Sequence, residues 1–152
     1  MKTYIGYIVG KNETNLAELC QVIDRFARAG INTVFLETFY HGKAVFKTEK
    51  APYHTGLREY SYGDYPDYLT AFVTEADKRG IKVHAWVQDF YVGFLEDFEF
   101  VVNHQSWLLI NQHGGIRHTT EGQGFGGYIF LDPANPEVRA FLVDLYDELL
   151  TK

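Results

Sequence analysis

Three features of this 152-residue sequence predict an α/β fold built on a parallel sheet. Ala-Arg-Ala-Gly-Ile-Asn-Thr-Val at 27–34 and Asp-Lys-Arg-Gly-Ile-Lys-Val-His at 77–84 share one grammar of helix end, glycine turn and strand, the signature of stacked βα units. The runs Tyr4–Val9, Ile31–Thr38 and Gly80–Tyr91 read as strands, and the second is apolar on both faces, as a parallel strand covered by helices must be. Two connections, Phe39–Tyr65 and Phe90–Asn135, are longer than a bare scaffold needs. Both leave a strand and precede a helix, the edge where α/β barrels keep their chemistry. The expected architecture is three parallel strands with flanking helices and long βα loops, a partial barrel.

Taken in order, the first strand gives way to a helix that Asn15 caps, with Glu18 placed three residues on for a capping box. Leu16, Leu19, Val22, Ile23 and Phe26 follow at helical spacing, and Gly30 ends the helix. After the second strand, the first long connection holds Tyr40, His41, Phe46, Tyr53, Tyr60 and Tyr62, an aromatic content that predicts a loop folded down rather than disordered. Pro66 is expected to open the next helix, whose buried stripe is Leu69, Phe72, Val73 and Ala76.

The third strand follows Gly80 and organises the reading. His84, Trp86 and Gln88 share one face at period two, so an apolar run becomes a row of large polar and aromatic side chains. The strand is expected to be buried. Buried polar groups must be paired, so this face either forms a local network or lines a cavity. In the second long connection, Trp107–Asn111 and Tyr128–Asp132 look like paired short strands, with His113-Gly114-Gly115 and Gly122–Gly127 as turns. Finally Asn135 caps a helix, Pro136 takes its first position, and Val138, Phe141, Leu142, Leu145 and Leu149 make an apolar stripe. Burying each would contribute roughly 1.5–3 kcal/mol, so the stripe needs a surface. No glycine and strand follow it. The expectation is a single domain over residues 1–152 that is the N-terminal part of a barrel, truncated before a fourth strand, with open edges and an unpaired stripe that favour self-association.

Composition excludes several partners. With a net charge of -6 and no Lys/Arg cluster, the chain lacks the basic face that releases counterions from nucleic acid. The N-terminus shows neither a long apolar h-region nor a small-residue cleavage site, so no signal peptide or membrane span is expected in this chain, and the location of the parent protein stays open. The one cysteine, Cys20, falls on an apolar helix face and reads as a small core residue. The histidines at 41, 54, 84, 104, 113 and 118 show no HxH or HExxH spacing, so no metal and no cofactor is expected. The glycines of 122–127 do not follow a strand and open a helix, which makes them a turn rather than a phosphate cradle.

The order of motifs then carries a resemblance. Asn32–Gly42, Pro52–Leu57, Lys78–Trp86, His104–Leu108 and Leu131–Arg139 together resemble the bacterial glycosyl-hydrolase-like proteins grouped near the family-ten glycosidases. The resemblance covers nearly the whole chain. It implies a (β/α)8 TIM barrel, of which this sequence is similar to the N-terminal portion, and hydrolysis of an O-glycosyl bond in a polysaccharide such as bacterial cell-wall glycan. In such relatives the helix matching Asn135–Leu150 leads into a strand bearing an Asp-Gly-Ile-His-x-Asp type motif, which would place a catalytic carboxylate beyond Lys152. Where many relatives have Gln-Val-Arg-Pro after the second strand, this chain has Glu37-Thr38-Phe39-Tyr40, so substrate contacts there differ.

Glycoside hydrolysis uses two carboxyl groups flanking the scissile bond. Glu37 and Asp89, each at the end of an expected strand, are the candidates, with supports for the rest of the barrel as their other reading. Tyr40, Trp86 and Tyr91 suit stacking on sugar faces, and His41, His84 and Gln88 suit hydrogen bonding to sugar hydroxyls. Two other functions stay open: a non-catalytic carbohydrate-binding or scaffold module, and a metal-dependent sugar-isomerase type of barrel.

Overall fold

The computed structural model describes residues 5–8, 13–54, 57, 60–94, 96, 98–119 and 127–151. The fold is mixed α/β. The chain divides into two compact units, one of Met1–Thr38, Ala44–Lys47 and Tyr53–Val87, the other of Phe39–Lys43, Thr48–Pro52 and Gln88–Lys152.

In the first unit, β1 (Ile5–Ile8) runs parallel to β2 (Thr33–Tyr40), with Ile5 opposite Thr33 and Ile8 opposite Leu36. The helix between them, α1 (Leu16–Arg28), starts where the sequence places it. The Asn15 side chain accepts the Glu18 N–H at 3.0 Å, while the Glu18 carboxylate turns back to the Thr14 N–H and hydroxyl at 2.7 and 2.9 Å. Gly30 closes α1 at φ +76, a conformation that costs a side chain but not glycine. β2 extends two residues past the expected Thr38, and its Val34, Leu36, Glu37, Thr38, Phe39 and Tyr40 are all buried.

In the described part of the first long connection Tyr40, Phe46 and Tyr62 are buried, as expected, while Tyr60 is exposed. β2 turns back into β3 (Lys43–Ala44) through His41 and Gly42, both at positive φ, the requirement of a tight type I′ hairpin turn. Val45, Phe46 and Tyr62 are then buried. α2 (Tyr68–Asp77) begins after Pro66 rather than at it, because Asp67 is the cap: its carboxylate accepts the Thr70 N–H at 2.8 Å and the Lys47 N–H at 3.1 Å. The helix buries Leu69, Phe72 and Ala76 of the expected stripe, together with Tyr68, Ala71 and Glu75, and packs on α1.

Glu75 is a buried carboxylate with three donors. Lys78 Nζ lies 2.6 Å away, the Tyr65 hydroxyl donates at 2.6 Å and Arg79 Nη1 at 2.9 Å. Those bonds, Lys78 first and Tyr65 next, outweigh burial and hold the carboxyl down to about 2 from its ordinary 4.5. The sign follows from linkage: the stabilisation is complete above about pH 4.5 and is lost as pH falls toward 2. Urea midpoints measured across that window should fall for the wild-type chain and flatten for Glu75→Gln. The nearby Cys20 thiol is pushed up by burial and by Glu75, which fits an unreactive packing residue.

β4 (Lys82–Val87) pairs with β2 and follows Gly80, at φ +69, as the grammar predicts. Its burial is a correction. Lys82, His84, Ala85 and Trp86 are exposed, so both faces of the strand meet solvent. β4 has one paired edge among the described residues, and an apolar run reports strand type without reporting what covers it.

The second unit holds an antiparallel sheet in the order β5-β7-β6, made of β5 (Tyr91–Gly93), β6 (Arg117–His118) and β7 (Tyr128–Phe130). The expected pairing of the 107–111 and 128–132 segments holds: Leu109 N–H donates to Phe130 O at 2.8 Å and Asp132 N–H to Trp107 O at 2.7 Å. The His113–Gly115 turn is closed by Asn111, whose N–H donates to Gly115 O at 2.8 Å; of the Gly122–Gly127 turn, all but Gly127 lies outside the described residues. Not foreseen are β5 and α3 (Glu99–Asn103).

α4 (Pro136–Leu150) begins as read, with Asn135 Oδ1 accepting the Glu137 N–H at 2.8 Å and Pro136 in the first turn. Its stripe corrects a second expectation. Val138, Phe141, Leu142 and Leu145 are buried, so the helix is not an unpaired apolar face. Phe141 packs on Phe39, Phe100 and Trp107, with ring centroids 6.0, 5.4 and 5.4 Å away. No helix among the described residues is long and apolar enough to cross a membrane.

Candidate functional site

The residues singled out in the sequence fall into two groups, one in each unit. In the first unit, Glu37 is buried on β2, only 3% exposed, and the neighbouring Thr38 hydroxyl donates to the Trp86 carbonyl at 3.2 Å. His84 stacks on Phe35 with centroids 5.1 Å apart, and Trp86 stands 38% exposed on the same face of β4.

The second unit collects Tyr40, His41, Gln88, Asp89 and Tyr91. His41 is the centre. The hairpin turn holds it at φ +50, an unusual backbone for a residue with a Cβ, and aims its ring into a group of aromatics. Tyr40, Tyr91, Phe94 and Phe98 lie around it with centroids 5.4, 5.3, 5.5 and 6.0 Å away. Burial, and then the Lys43 ammonium, lower the pKa of His41, so the imidazole is neutral at pH 7 and offers one donor and one acceptor. Lys43 itself sits over the Phe98 ring at 5.0 Å.

The hairpin that presents His41 leaves no room for a side chain at the next position. A Cβ on Gly42 would lie 2.5 Å from Phe100 Cβ, and the backbone there is at φ +66. Both the clash and the backbone oppose a substitution, so Gly42→Ala should cost about 2–3 kcal/mol in urea unfolding. The equivalent change at Gly114, also at positive φ but with nothing near its Cβ, should cost only the backbone part, about 1 kcal/mol.

Gln88 and Asp89 follow β4. The Gln88 N–H donates to Phe39 O at 2.9 Å, fixing the turn in which Asp89 sits. The Tyr146 hydroxyl of α4 donates a short hydrogen bond to Asp89 Oδ1. Burial and this bond push the Tyr146 phenol up to about 12, so it stays a donor and tethers the carboxylate. Sequence reasoning missed Tyr146, for it lies 57 positions from Asp89 and beside the helix stripe rather than in it. It also passed over Tyr128 and Phe130 as site residues, which join Tyr91 around a recess of about 280 Å³. Alternation in β7, with Ile129 buried and its neighbours half-exposed, is the signal that could have found them.

Among the described residues no group of three or more His, Cys, Asp or Glu side chains is placed to hold a metal ion. The second unit therefore offers a tethered carboxylate, a neutral imidazole, an amide and several half-buried aromatic faces. In general, aromatic faces of this kind stack on C–H faces of a polyhydroxylated ring, while its hydroxyls pair with amide, imidazole and carboxylate groups.

The family model described as glycosyl hydrolase-like 10 matches residues 10–152. The chain is 29% identical over 138 residues to glycosyl hydrolase DigH of Escherichia coli K12, and 23% identical over 139 residues to glycosyl hydrolase YngK of Bacillus subtilis. It spans 86% and 88% of its own length in these matches but only 30% and 25% of theirs. Among solved structures, an alpha-amylase from Lactobacillus plantarum superposes with a TM-score of 0.57 over 95% of this chain and 35% of that one, at 17% identity. The maltogenic alpha-amylase AmyB from Thermotoga neapolitana gives 0.58 over 99% and 36%, also at 17%. These structures share a fold of the TIM-barrel type with this chain.

Proposed function

Because the chain belongs to the glycosyl hydrolase-like 10 family, we propose that it supplies part of the sugar-binding cleft of a glycoside hydrolase acting on a polysaccharide, with bacterial cell-wall glycan as the substrate class. The observation that carries this reading is the Tyr146-tethered Asp89 in the same unit as the aromatic group around His41. On this reading β1, β2 and β4 are three parallel strands of one barrel domain, of which this chain is the N-terminal part. The bonds Lys82 N–H to Asn32 O and Gln88 N–H to Phe39 O, which advance together along both segments, support it.

Hydrolysis of a glycosidic bond requires one carboxyl group that gives a proton to the leaving oxygen and a second that stabilises or attacks the anomeric carbon. Asp89 is assigned one of these two roles, since the Tyr146 hydroxyl holds its carboxyl group in place. Glu37 is assigned a supporting or partner role on β2. Tyr40, Tyr91 and Trp86 stack on sugar rings, and His41, His84 and Gln88 read hydroxyls. The chain spans less than a third of its curated relatives, so the complete catalytic pair is assigned to the longer protein.

The test is release of new reducing ends from a panel of cell-wall and plant polysaccharides by a protein in which this chain is continued to the length of its relatives. Turnover of one glycan class is the expected result. Binding without turnover on every glycan would instead make the protein a carbohydrate-binding module.

A further inference from the structure

The outer face of the β5-β7-β6 sheet is built against the usual rule. Strand alternation sends Val92 and Ile129 into the core, both fully buried, and Tyr91, Tyr128 and Phe130 to the opposite face. A sheet face that meets water is ordinarily polar. Here it carries aromatic rings on adjacent strands, all of them half-exposed.

Their arrangement is a corner rather than a flat patch. Tyr91 meets Tyr128 edge-on, with centroids 5.3 Å apart and planes at 84°, and meets Phe130 at 5.7 Å and 51°. Tyr128 and Phe130, two residues apart on β7, stand 6.3 Å apart at 61°. The rings line a shallow, open depression of about 280 Å³ with apolar faces. Neighbouring groups hold the corner in place: His41 packs edge-on against Tyr91 at 5.3 Å and 90°, and His118 against Phe130 at 5.7 Å and 76°. The Tyr91 phenol is raised by burial and by the nearby Tyr128.

We infer that Tyr91, Tyr128 and Phe130 form a stacking subsite for one sugar ring of a bound glycan, continuous with the aromatic group around His41. The aromatic walls take the C–H face of the ring. An ionic ligand would find no charge on the lining residues. The inference rests on the reading of the chain as glycan-binding and adds to it the place where a ring sits.

The experiment titrates the chain with cellohexaose, maltohexaose, xylohexaose and chitohexaose, following sugar proton shifts by NMR and affinity by calorimetry. At least one oligosaccharide is expected to bind, with ring C–H protons moved upfield by the aromatic faces. Tyr128→Ala and Phe130→Ala should each weaken binding about tenfold or more, whereas Tyr128→Phe, which keeps the face, should retain most of it. Thermal unfolding of each variant separates loss of the subsite from loss of the fold, and Tyr128→Phe reads the subsite even if an alanine variant unfolds. Binding that survives both alanine changes in folded protein overturns the subsite and leaves the glycan reading intact. No binding of any of the four overturns both. A wild-type dimer that Phe130→Ala converts to monomer would give the face to a second copy of the chain and also overturn the subsite.

Discussion

Replacing Phe141 by alanine should cost about 3–5 kcal/mol of stability, the largest loss expected for a single change in α4. Phe141 is 6% exposed and shares its contacts with Phe39, Phe100 and Trp107, so removing its ring leaves a cavity that those side chains cannot close without leaving their own rotamers. Val143, two positions on, is 58% exposed, and Val143→Ala should change stability by less than about 0.5 kcal/mol. Urea unfolding at constant m separates the two. Equal, small effects at both positions would mean that α4 does not pack on its own unit.

Asp89→Asn should lower turnover of the preferred glycan by about 10²–10⁴-fold, with much less effect on affinity. The amide keeps the shape and can still accept the Tyr146 hydrogen bond through its oxygen, so the fold should survive. What is lost is the charge. Tyr146→Phe keeps the carboxylate but unties it, and should fall between the wild type and Asp89→Asn, in kcat more than in KM. An effect of Asp89→Asn confined to KM would make this residue a binding group.

How far the sequence could be read depended on how local each determinant is. Asn15 and Asn135 with Pro136 mark helix starts through side chains that reach only two or three residues, and the structure has them there. The glycine turns at 30 and 80 are equally local. The His41-Gly42 turn was legible too, since a residue followed by glycine between apolar runs is a hairpin signal, but the expected strand end at Thr38 hid it. Coverage is another matter. The β4 run is apolar enough to be a buried strand, yet it is exposed, because burial depends on neighbours that periodicity does not encode. The α4 stripe looks unpaired in the sequence for the same reason, although Phe39, Phe100 and Trp107, the partners of Phe141, lie in earlier segments. Of the site, Asp89, His41 and Tyr91 were legible as polar and aromatic residues next to strand ends. Tyr146 was not, since only the folded chain brings it to Asp89.

The most direct test of the account maps a bound oligosaccharide onto the chain by backbone amide shifts, using the glycan that the polysaccharide panel selects. The amides expected to move are those of Tyr40–His41, Gln88–Tyr91 and Tyr128–Phe130, while the Asn111–Gly115 turn stays still. Shifts confined to that turn, with the aromatic and carboxylate segments unchanged, would contradict it.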